Sequence, residues 1–406
     1  MNHSIILITA GFPYGKSETF LEGEIPYLAD SFVEVIIFCP IPTEKIKREI
    51  PDNCRVITYD IDLKLKDKLK AIFGIFSTNY KAEMNYIKNN YAVKASFELR
   101  KITLISLFQA KRLCKTIQTS CSDILKVPNT ILYSYWCDDS AIALSLLKNK
   151  TPLLKIISRV HGWDLYFNIH NIEYLPFRDL IASKMNLLLP ISNKGMNIIE
   201  EIWKVKNVNL KVSRLGVADS SLGAKNNIKT NDNGKLTIVS CSNLIPLKRV
   251  HLIAETINQM NTPTRWVHFG DGPELKRVQN ILVNNQNHET IFFGRVENKI
   301  VLEYYSKNKI DLFLNLSTTE GIPVSIMEAF SFGIPVVATN VGGTAEIVNP
   351  ENGFLLPENP SVNDIKIAIE NVIYHVEKRN RAYQTWKEKY NAEKNYADFI
   401  KLIQEI

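Results

Sequence analysis

The sequence predicts an α/β protein made of two doubly wound parallel sheets. Short, nearly continuous apolar runs rich in β-branched residues recur along the chain, each followed by a loop and a helical pattern. Strands apolar on both faces need helices on both sides, which is the doubly wound arrangement. At 406 residues the chain is too long for one ordinary core, so the pattern is expected twice.

In the first half the expected strands are SIILITA (4–10), VEVIIFC (33–39), RVITY (55–59), TILYSYW (130–136), KIISRV (155–160), LLLPIS (187–192) and KVSRL (211–215). In the second half they are LTIVSCS (236–242), RWVHFG (265–270), IFFG (291–294), IDLFLNLS (310–317) and IPVVATN (334–340). The polar stretch 218–235, rich in Asn, Asp, Ser, Gly and Lys and without periodicity, reads as a linker. This divides the chain into a first domain at 1–217, a second at 236–385, and terminal helices at 386–406. The terminal helices carry aromatic anchors at Trp386, Tyr390, Tyr396 and Phe399 and are expected to pack back on the first domain.

Composition is that of an ordinary globular protein, 45% hydrophobic and 22% charged. No stretch has the ~18 uninterrupted apolar residues of a membrane span. The opening MNHSIILITAGFPYG lacks a basic n-region and a cleavage site, so it reads as a first buried strand. Six scattered cysteines without C-x-x-C or metal-ligand spacing point to reduced thiols and a cytoplasmic setting. The net charge of +7 is uneven: residues 61–128 hold 13 Lys/Arg against 5 Asp/Glu, a local +8. Their start, DLKLKDKLKAIFGIF, interleaves Lys64, Lys66, Lys68 and Lys70 with Leu69, Ile72, Phe73 and Phe76. That pattern suits either a solvated helix face or contact with an anionic membrane at the inner face of the cytoplasmic membrane. No nucleic-acid-binding motif accompanies the charge, so nucleic acid is not an expected partner.

Ligands of open α/β sheets bind at the carboxyl ends of strands. In the second half, STTEGIPVSIMEA follows a buried strand. Pro323 suits the first helical position, and the free N–H groups of the helix start point back at the strand ends. Glu320 there is explained equally by helix-terminus electrostatics. Glu328, among Ile326, Met327, Ala329 and Phe330 with no cation nearby, needs another account. A buried carboxylate without a partner costs several kcal/mol, and ligand hydroxyls would satisfy it. Gly342-Gly343 and the HFGDGPE stretch with Gly270 allow close backbone approach, or simple tight turns. Lys248, in the loop after the first strand of this half, is a candidate phosphate clamp; Arg249 beside it is either a helper or a surface charge.

Taken together, Glu320-x7-Glu328, GIPVSIMEA, GIPVVAT, the glycine pair, GDGPE and the loop lysine resemble the retaining GT-B glycosyltransferases of family 4, the glycosyl transferases of group 1. The resemblance covers nearly the whole chain. GFPYGKSETFLEGEIPYL, YSYW, RVHGWDLY and SNLIPLKRV are most similar to bacterial exopolysaccharide and capsule biosynthesis members. It implies two Rossmann-like domains facing a deep cleft, with the acceptor on the first and a nucleotide-sugar donor on the second. Glu320, with Gly321, Ile322, Pro323 and Val324, would hold the donor sugar, and Glu328 the ribose hydroxyls. Lys248 would neutralise the leaving diphosphate, with Gly270 and Gly294 lining the same site. Family members usually carry an arginine five residues before that lysine. Asn243 stands there, leaving half of the cationic clamp to a substitute such as Arg249.

In the first half the resemblance makes GFPYGKSETF the loop that closes toward the diphosphate, with Gly15 nearest and Tyr14 and Ser17 on the acceptor side. His161 would lie near the transferred sugar, with Trp163 and Asp164 beside the acceptor and Asp164 orienting its own loop. Ser192 and Gly216 also match family positions. Glu18 reads as a helix-start acid, and Glu22 and Glu24 carry no clear signal. Asp138-Asp139 resembles a D-x-D motif only superficially, and neither a metal nor another cofactor is expected.

The activity implied is retaining transfer of a hexose from a UDP- or GDP-sugar to a saccharide hydroxyl, the acceptor being a lipid-linked oligosaccharide. Two alternatives stand beside it: a GT-B nucleotide-sugar epimerase, and a catalytically silent sugar-nucleotide-binding partner protein.

Overall fold

The computed structural model describes residues 3–15, 18–44, 47–91, 95–205, 208–219, 234–282 and 287–406. They form two compact units. The first comprises Met1–Arg214 and Tyr396–Ile406, the second Leu215–Asn395. The structure thus divides the chain at Leu215, three residues before the expected linker, and most of that linker, 220–233, lies outside the described residues.

In the first unit, β1 (Ser4–Ile8), β2 (Glu34–Pro40), β3 (Cys54–Tyr59), β4 (Ile131–Ser134), β5 (Lys155–Val160) and β6 (Leu187–Pro190) form one parallel sheet. The strand order is β3-β2-β1-β4-β5-β6. The helices are α1 (Leu21–Ser31), α2 (Leu65–Ile72), α3 (Thr78–Asn90), α4 (Phe97–Ser120), α5 (Asp139–Lys150), α6 (Arg178–Lys184) and α7 (Asn193–Ile202). Alternate residues of the central strands feed two separate cores, one on each sheet face. Ile6 and Ile8 join one with Leu132 and Ile156. Ile5 and Leu7 join the other with Tyr133 and Ile157. Side-chain oxygens of Ser77, Ser96 and Ser192 accept the orphan N–H groups at the starts of α3, α4 and α7. Ser192 therefore has a capping task.

The second unit repeats the plan with β7 (Leu236–Cys241), β8 (Thr264–Phe269), β9 (His288–Gly294), β10 (Leu312–Asn315), β11 (Val336–Thr339) and β12 (Gly353–Leu356). Their order, β12-β11-β10-β7-β8-β9, is the same topology read from the other edge. Its helices are α8 (Val250–Asn258), α9 (Leu275–Ile281), α10 (Asn298–Lys307), α11 (Val324–Ser331), α12 (Thr344–Ile347), α13 (Val362–Ile373) and α14 (Glu377–Lys389). The last helix, α15 (Ala392–Gln404), starts in this unit and ends in the first. Of the terminal aromatic anchors, Tyr396 and Phe399 belong to the first unit, whereas Trp386 and Tyr390 belong to the second.

Two strand expectations are corrected. KVSRL (211–215) is no strand: Lys211 and Ser213 donate N–H groups to Leu188 O and Pro190 O, but no regular ladder forms. The strand GFLL at 353–356 was not anticipated; it is only four residues long and follows a polar turn.

In both sheets the strand order reverses beside the first strand, and ligands of such sheets bind where it reverses. The loops that matter are therefore those after β1 and β4 in the first unit, and after β7 and β10 in the second.

Candidate functional site

In the second unit, β7 runs into the loop Ser242–Ile245 and a 3₁₀ turn at Pro246–Lys248. That turn delivers Lys248, whose Nζ donates to Glu320 Oε1 at 2.5 Å. The same oxygen accepts from Ser317 Oγ at 2.6 Å and Asn315 Nδ2 at 3.3 Å. Ser317 and Asn315 come from the end of β10 and the loop behind it. Three donors thus converge on one carboxylate oxygen.

Glu320 precedes α11 by a short turn. Pro323 is the residue before the helix rather than its first member, which is Val324. Gly321 and Ile322 span the turn between the carboxylate and the helix start. The paired glycines explain how this turn is held. Gly342 has φ +53°, and a Cβ there would lie 1.7 Å from Glu320 O. Gly343 donates its N–H to Gly321 O at 2.8 Å. Backbone packed on backbone is what the pair provides, so its close approach is to the Glu320 turn.

Gly270 works in the same way on the neighbouring loop. Its φ is +136°, a Cβ would fall 1.9 Å from Ser242 O, and its N–H reaches Gly294 O at 2.8 Å. Gly294, at φ +67°, closes β9.

Glu328 is buried inside α11. Its one hydrogen-bond donor among the described residues is Asn298 Nδ2, 2.6 Å from Oε1, at the first position of α10. Burial pushes the carboxyl up to about 7, with Asn298 working in the opposite direction. Among the described residues no cation stands against it, and a neutral partner from a distant element does part of that work.

Asn243 Oδ1 accepts from Arg295 Nη2 at 3.1 Å. A guanidinium therefore stands beside the asparagine, contributed by the residue after Gly294. Arg249, expected as the substitute, is corrected to a structural role. It is buried and donates to Leu316 O, Ser317 O, Glu358 O and Asn359 Oδ1 at 2.6–3.2 Å. Together with the Thr318 N–H on Leu247 O, it staples the lysine loop to the Glu320 loop. Sequence reasoning missed Arg295, Asn298, Asn315 and Ser317. The available signal was their position at strand ends and a helix start.

In the first unit, Glu18 is a buried pin with φ +55°. Its carboxylate accepts from the N–H groups of Ala10, Gly11 and Phe12 and from Trp136 Nε1, at 2.6–2.9 Å. The expected helix-start role is thus replaced: Glu18 ties the loop after β1 to the loop after β4. Glu22 pairs with Arg48 at 3.0 Å, and Arg48 also donates to Gly15 O. Glu24 is fully buried with Arg159 and the Tyr133 hydroxyl, at 2.9–3.2 Å. Gly15 has φ +69°, and Tyr14 forms a single bridge to Lys47. Ser17 lies outside the described residues.

His161 follows β5 and is buried, its ring packed against Trp136 (centroids 4.4 Å apart) and Tyr135 (4.9 Å). Neither ring nitrogen has a hydrogen-bond partner among the described residues. Asp164 Oδ2 stands 3.8 Å from Nδ1, beyond hydrogen-bond distance. Asp164 itself accepts from Cys137 N and His161 N at 2.6 Å. Burial works to raise its pKa, but His161 and these two N–H groups outweigh it and hold the carboxyl below its usual range. Its acceptor-side assignment is corrected accordingly: its oxygens are committed to its own loop. Trp163 is 64% exposed and packs over His170 at 4.4 Å. Gly216 lies in the second unit, where a Cβ would meet Ala392 Cα at 2.6 Å.

Among the described residues no group of three His, Cys, Asp or Glu is arranged to hold a metal, and no helix is long and apolar enough to cross a membrane.

Comparison with known proteins bears on the second unit most directly. Residues 224–389 match the family model described as glycosyl transferases group 1, a span that holds Lys248, Asn243, Glu320 and Glu328. WcaL of Escherichia coli K12, assigned to colanic acid biosynthesis as a glycosyltransferase, is 29% identical over 219 residues, 50% of this chain and 52% of WcaL. The chain thus spans about half the length of that relative. The uncharacterized glycosyltransferase MJ1178 of Methanocaldococcus jannaschii is 24% identical over 279 residues, 68% of this chain and 75% of its own. Among solved structures, Anabaena HepE in complex with UDP and glucose superposes with a TM-score of 0.66 at 13% identity, covering 99% of both chains. Sucrose-phosphate synthase of Thermosynechococcus elongatus gives 0.69 at 13% identity, over 100% of this chain and 99% of its own. At this identity the likeness shows the fold alone, the GT-B type with two Rossmann-like domains.

Proposed function

We propose that this protein is a group 1 glycosyltransferase that moves a hexose from a nucleotide-diphosphate sugar to a saccharide hydroxyl with retention, in assembly of a bacterial surface polysaccharide. The observation that carries the reading is the set at the reversal point of the second sheet. Glu320 is held by Lys248, Ser317 and Asn315, and buried Glu328 has, among the described residues, only the neutral Asn298 as partner. The first suits donor sugar hydroxyls and the second a ribose diol. Lys248 would counter the charge that develops on the leaving diphosphate, and the enzyme would otherwise act by positioning. Arg295 beside Asn243 supplies a cation near the place where the family resemblance implies an arginine, which weakens the case for a catalytically silent protein. His161, whose ring nitrogens have no hydrogen-bond partner among the described residues and which sits in an aromatic surround, supports a sugar-side role in the first unit. Donor chemistry needs no metal in this proposal. The acceptor is proposed to be a lipid-linked oligosaccharide, in keeping with WcaL and with the O-antigen biosynthesis glycosyltransferase WbnH of Escherichia coli, 26% identical over 206 residues.

The test is a donor panel. Purified protein is incubated with UDP-, GDP-, ADP- and dTDP-sugars, and nucleotide diphosphate release is followed for wild type, Glu320→Ala and Lys248→Ala. Release from one donor, lost in both variants, is expected, and NMR of the product should show the donor's anomeric configuration. Release that survives both substitutions, or inversion at the anomeric carbon, sinks the corresponding part of the proposal. A free 2-epimer formed without acceptor would favour the epimerase instead.

A further inference from the structure

α2 turns its large apolar side chains, as well as its lysines, to solvent. A surface helix ordinarily buries its large apolar side chains and exposes its charges. Here the side of α2 and the following 3₁₀ turn (Phe73–Phe76) that meets the protein is small: Ala71 is the one buried residue of the helix. Gly74 sits so close to α4 that a Cβ would meet Leu104 at 3.1 Å. The large side chains point the other way. Leu65, Phe73, Phe76 and, at the start of α4, Phe97 are 70% or more exposed, and Leu69 and Ile72 more than half. Eight of the twenty large apolar residues exposed among the described residues fall between positions 61 and 97.

The segment is anchored rather than loose. Arg112 of α4 donates to the backbone carbonyls of Asp60 and Asp62 at 3.0 Å, and the Asp67 carboxylate accepts the Lys64 N–H. The exposure is thus built into a held element. Patches of this kind mark interaction sites.

The charges select the occupant. At 100° per residue, Leu65, Leu69 and Ile72 lie within about 60° of one another, and Lys66 and Lys68 flank that stripe on either side. Residues 64–70 hold four lysines against Asp67 alone. A second copy of this face would bring two such clusters together, which charge repulsion opposes. An anionic membrane surface complements both features at once: lysines reach the headgroups while Leu and Phe enter the acyl boundary.

We infer that α2 and the 3₁₀ turn after it form a membrane-docking wedge for anionic phospholipid bilayers. This does not depend on the transferase reading. The experiment is flotation of the full chain with vesicles of equal parts phosphatidylglycerol and phosphatidylcholine, and with phosphatidylcholine alone. Wild type is expected to bind the anionic vesicles and to lose binding as salt is raised. Each Lys→Gln change at 64, 66, 68 and 70 is expected to weaken binding about fivefold. Phe73→Ser with Phe76→Ser is expected to weaken it at least tenfold, from lost apolar burial. These side chains are exposed, so folding is preserved, and donor turnover without vesicles is expected to be unchanged in every variant. Absence of wild-type binding to anionic vesicles, equal binding to neutral ones, or indifference to both sets of substitutions overturns the inference. So does self-association in sedimentation that disappears in the phenylalanine variant without any vesicle binding, because the face would then serve a second copy.

Discussion

At the scale of single residues, Glu328 makes the sharpest prediction. Its folded-state pKa is about 7 against an ordinary 4.5. Between those values the folded state holds a proton that the unfolded chain has released. Stability from this site is therefore highest below about pH 4.5 and falls as pH rises through 7. Glu328→Gln is expected to stabilise the protein by about 3 kcal/mol at pH 8 and by little at pH 4, read by denaturant unfolding at both values. On the proposed ribose role, ligand binding should run the opposite way, because the charged carboxylate is the better acceptor for the hydroxyls. Affinity for a nucleotide-diphosphate sugar, whose phosphates stay ionised from pH 5 to 8, is expected to drop toward tenfold per unit below pH 7. Calorimetry showing the same pH profile for wild type and Glu328→Gln would discard the ribose role. The two arginines near the site are expected to separate cleanly. Arg249→Ala leaves the buried Leu316 carbonyl short of its guanidinium donor and takes one of two side-chain donors from Ser317 O, so it should cost about 2 kcal/mol of stability. Arg295→Ala, at an exposed position, should leave stability within about 0.5 kcal/mol of wild type yet weaken donor binding.

Among elements, the turn between β10 and α11 is positioned by another turn, not by its own sequence. The glycine pair after β11 lies against the backbone of Glu320 and Gly321, so the carboxylate's place depends on residues more than twenty positions away. Gly342→Ala must keep φ +53° with a Cβ 1.7 Å from Glu320 O, which backbone cannot yield without moving. A loss of about 2 kcal/mol or more is expected, together with a raised KM for the donor. A variant with normal stability and normal KM would show that the Glu320 turn holds itself. The loop after β1 obeys the same logic with a side chain as clamp: Glu18 accepts from three successive N–H groups and from the Trp136 indole N–H.

For the molecule as a whole, the chain does not partition at one point. Tyr396–Ile406 completes the first unit, where Phe399, Ile400 and Ile403 join the core beneath Tyr133 and Ile157. Phe399 also lies over the Arg159 guanidinium at 4.7 Å, beside the buried Glu24 pair. Burial of these three side chains contributes about 5 kcal/mol, comparable to a domain's net stability. Ending the chain after Asn395 is thus expected to leave the first unit unable to fold while the second still does. Proteolysis that spares 3–205 in the truncated protein would contradict this.

Apolar runs such as EVIIFCP and LTIVSC were legible as eleven of the twelve strands, because a strand buried on both faces writes its environment into every residue; the short GFLL strand at 353–356 carried no such signal. The spacing of Glu320 and Glu328, and the unpaired look of Glu328 among Ile326, Met327 and Phe330, were equally legible, since the cost of burying a charge is local. What the sequence could not state is which partners the fold delivers. Asn298 reaches Glu328 across 30 residues, Lys248 reaches Glu320 across 72, and Arg295 reaches Asn243 across 52. Arg249 and Arg295 look alike as letters; only the tertiary structure buries one against carbonyls and leaves the other beside the site. The same holds for α2, whose amphipathic pattern names two faces without saying which is inward. Packing against α4 through Ala71 and Gly74 decided that, because only a small-residue face fits so close an approach.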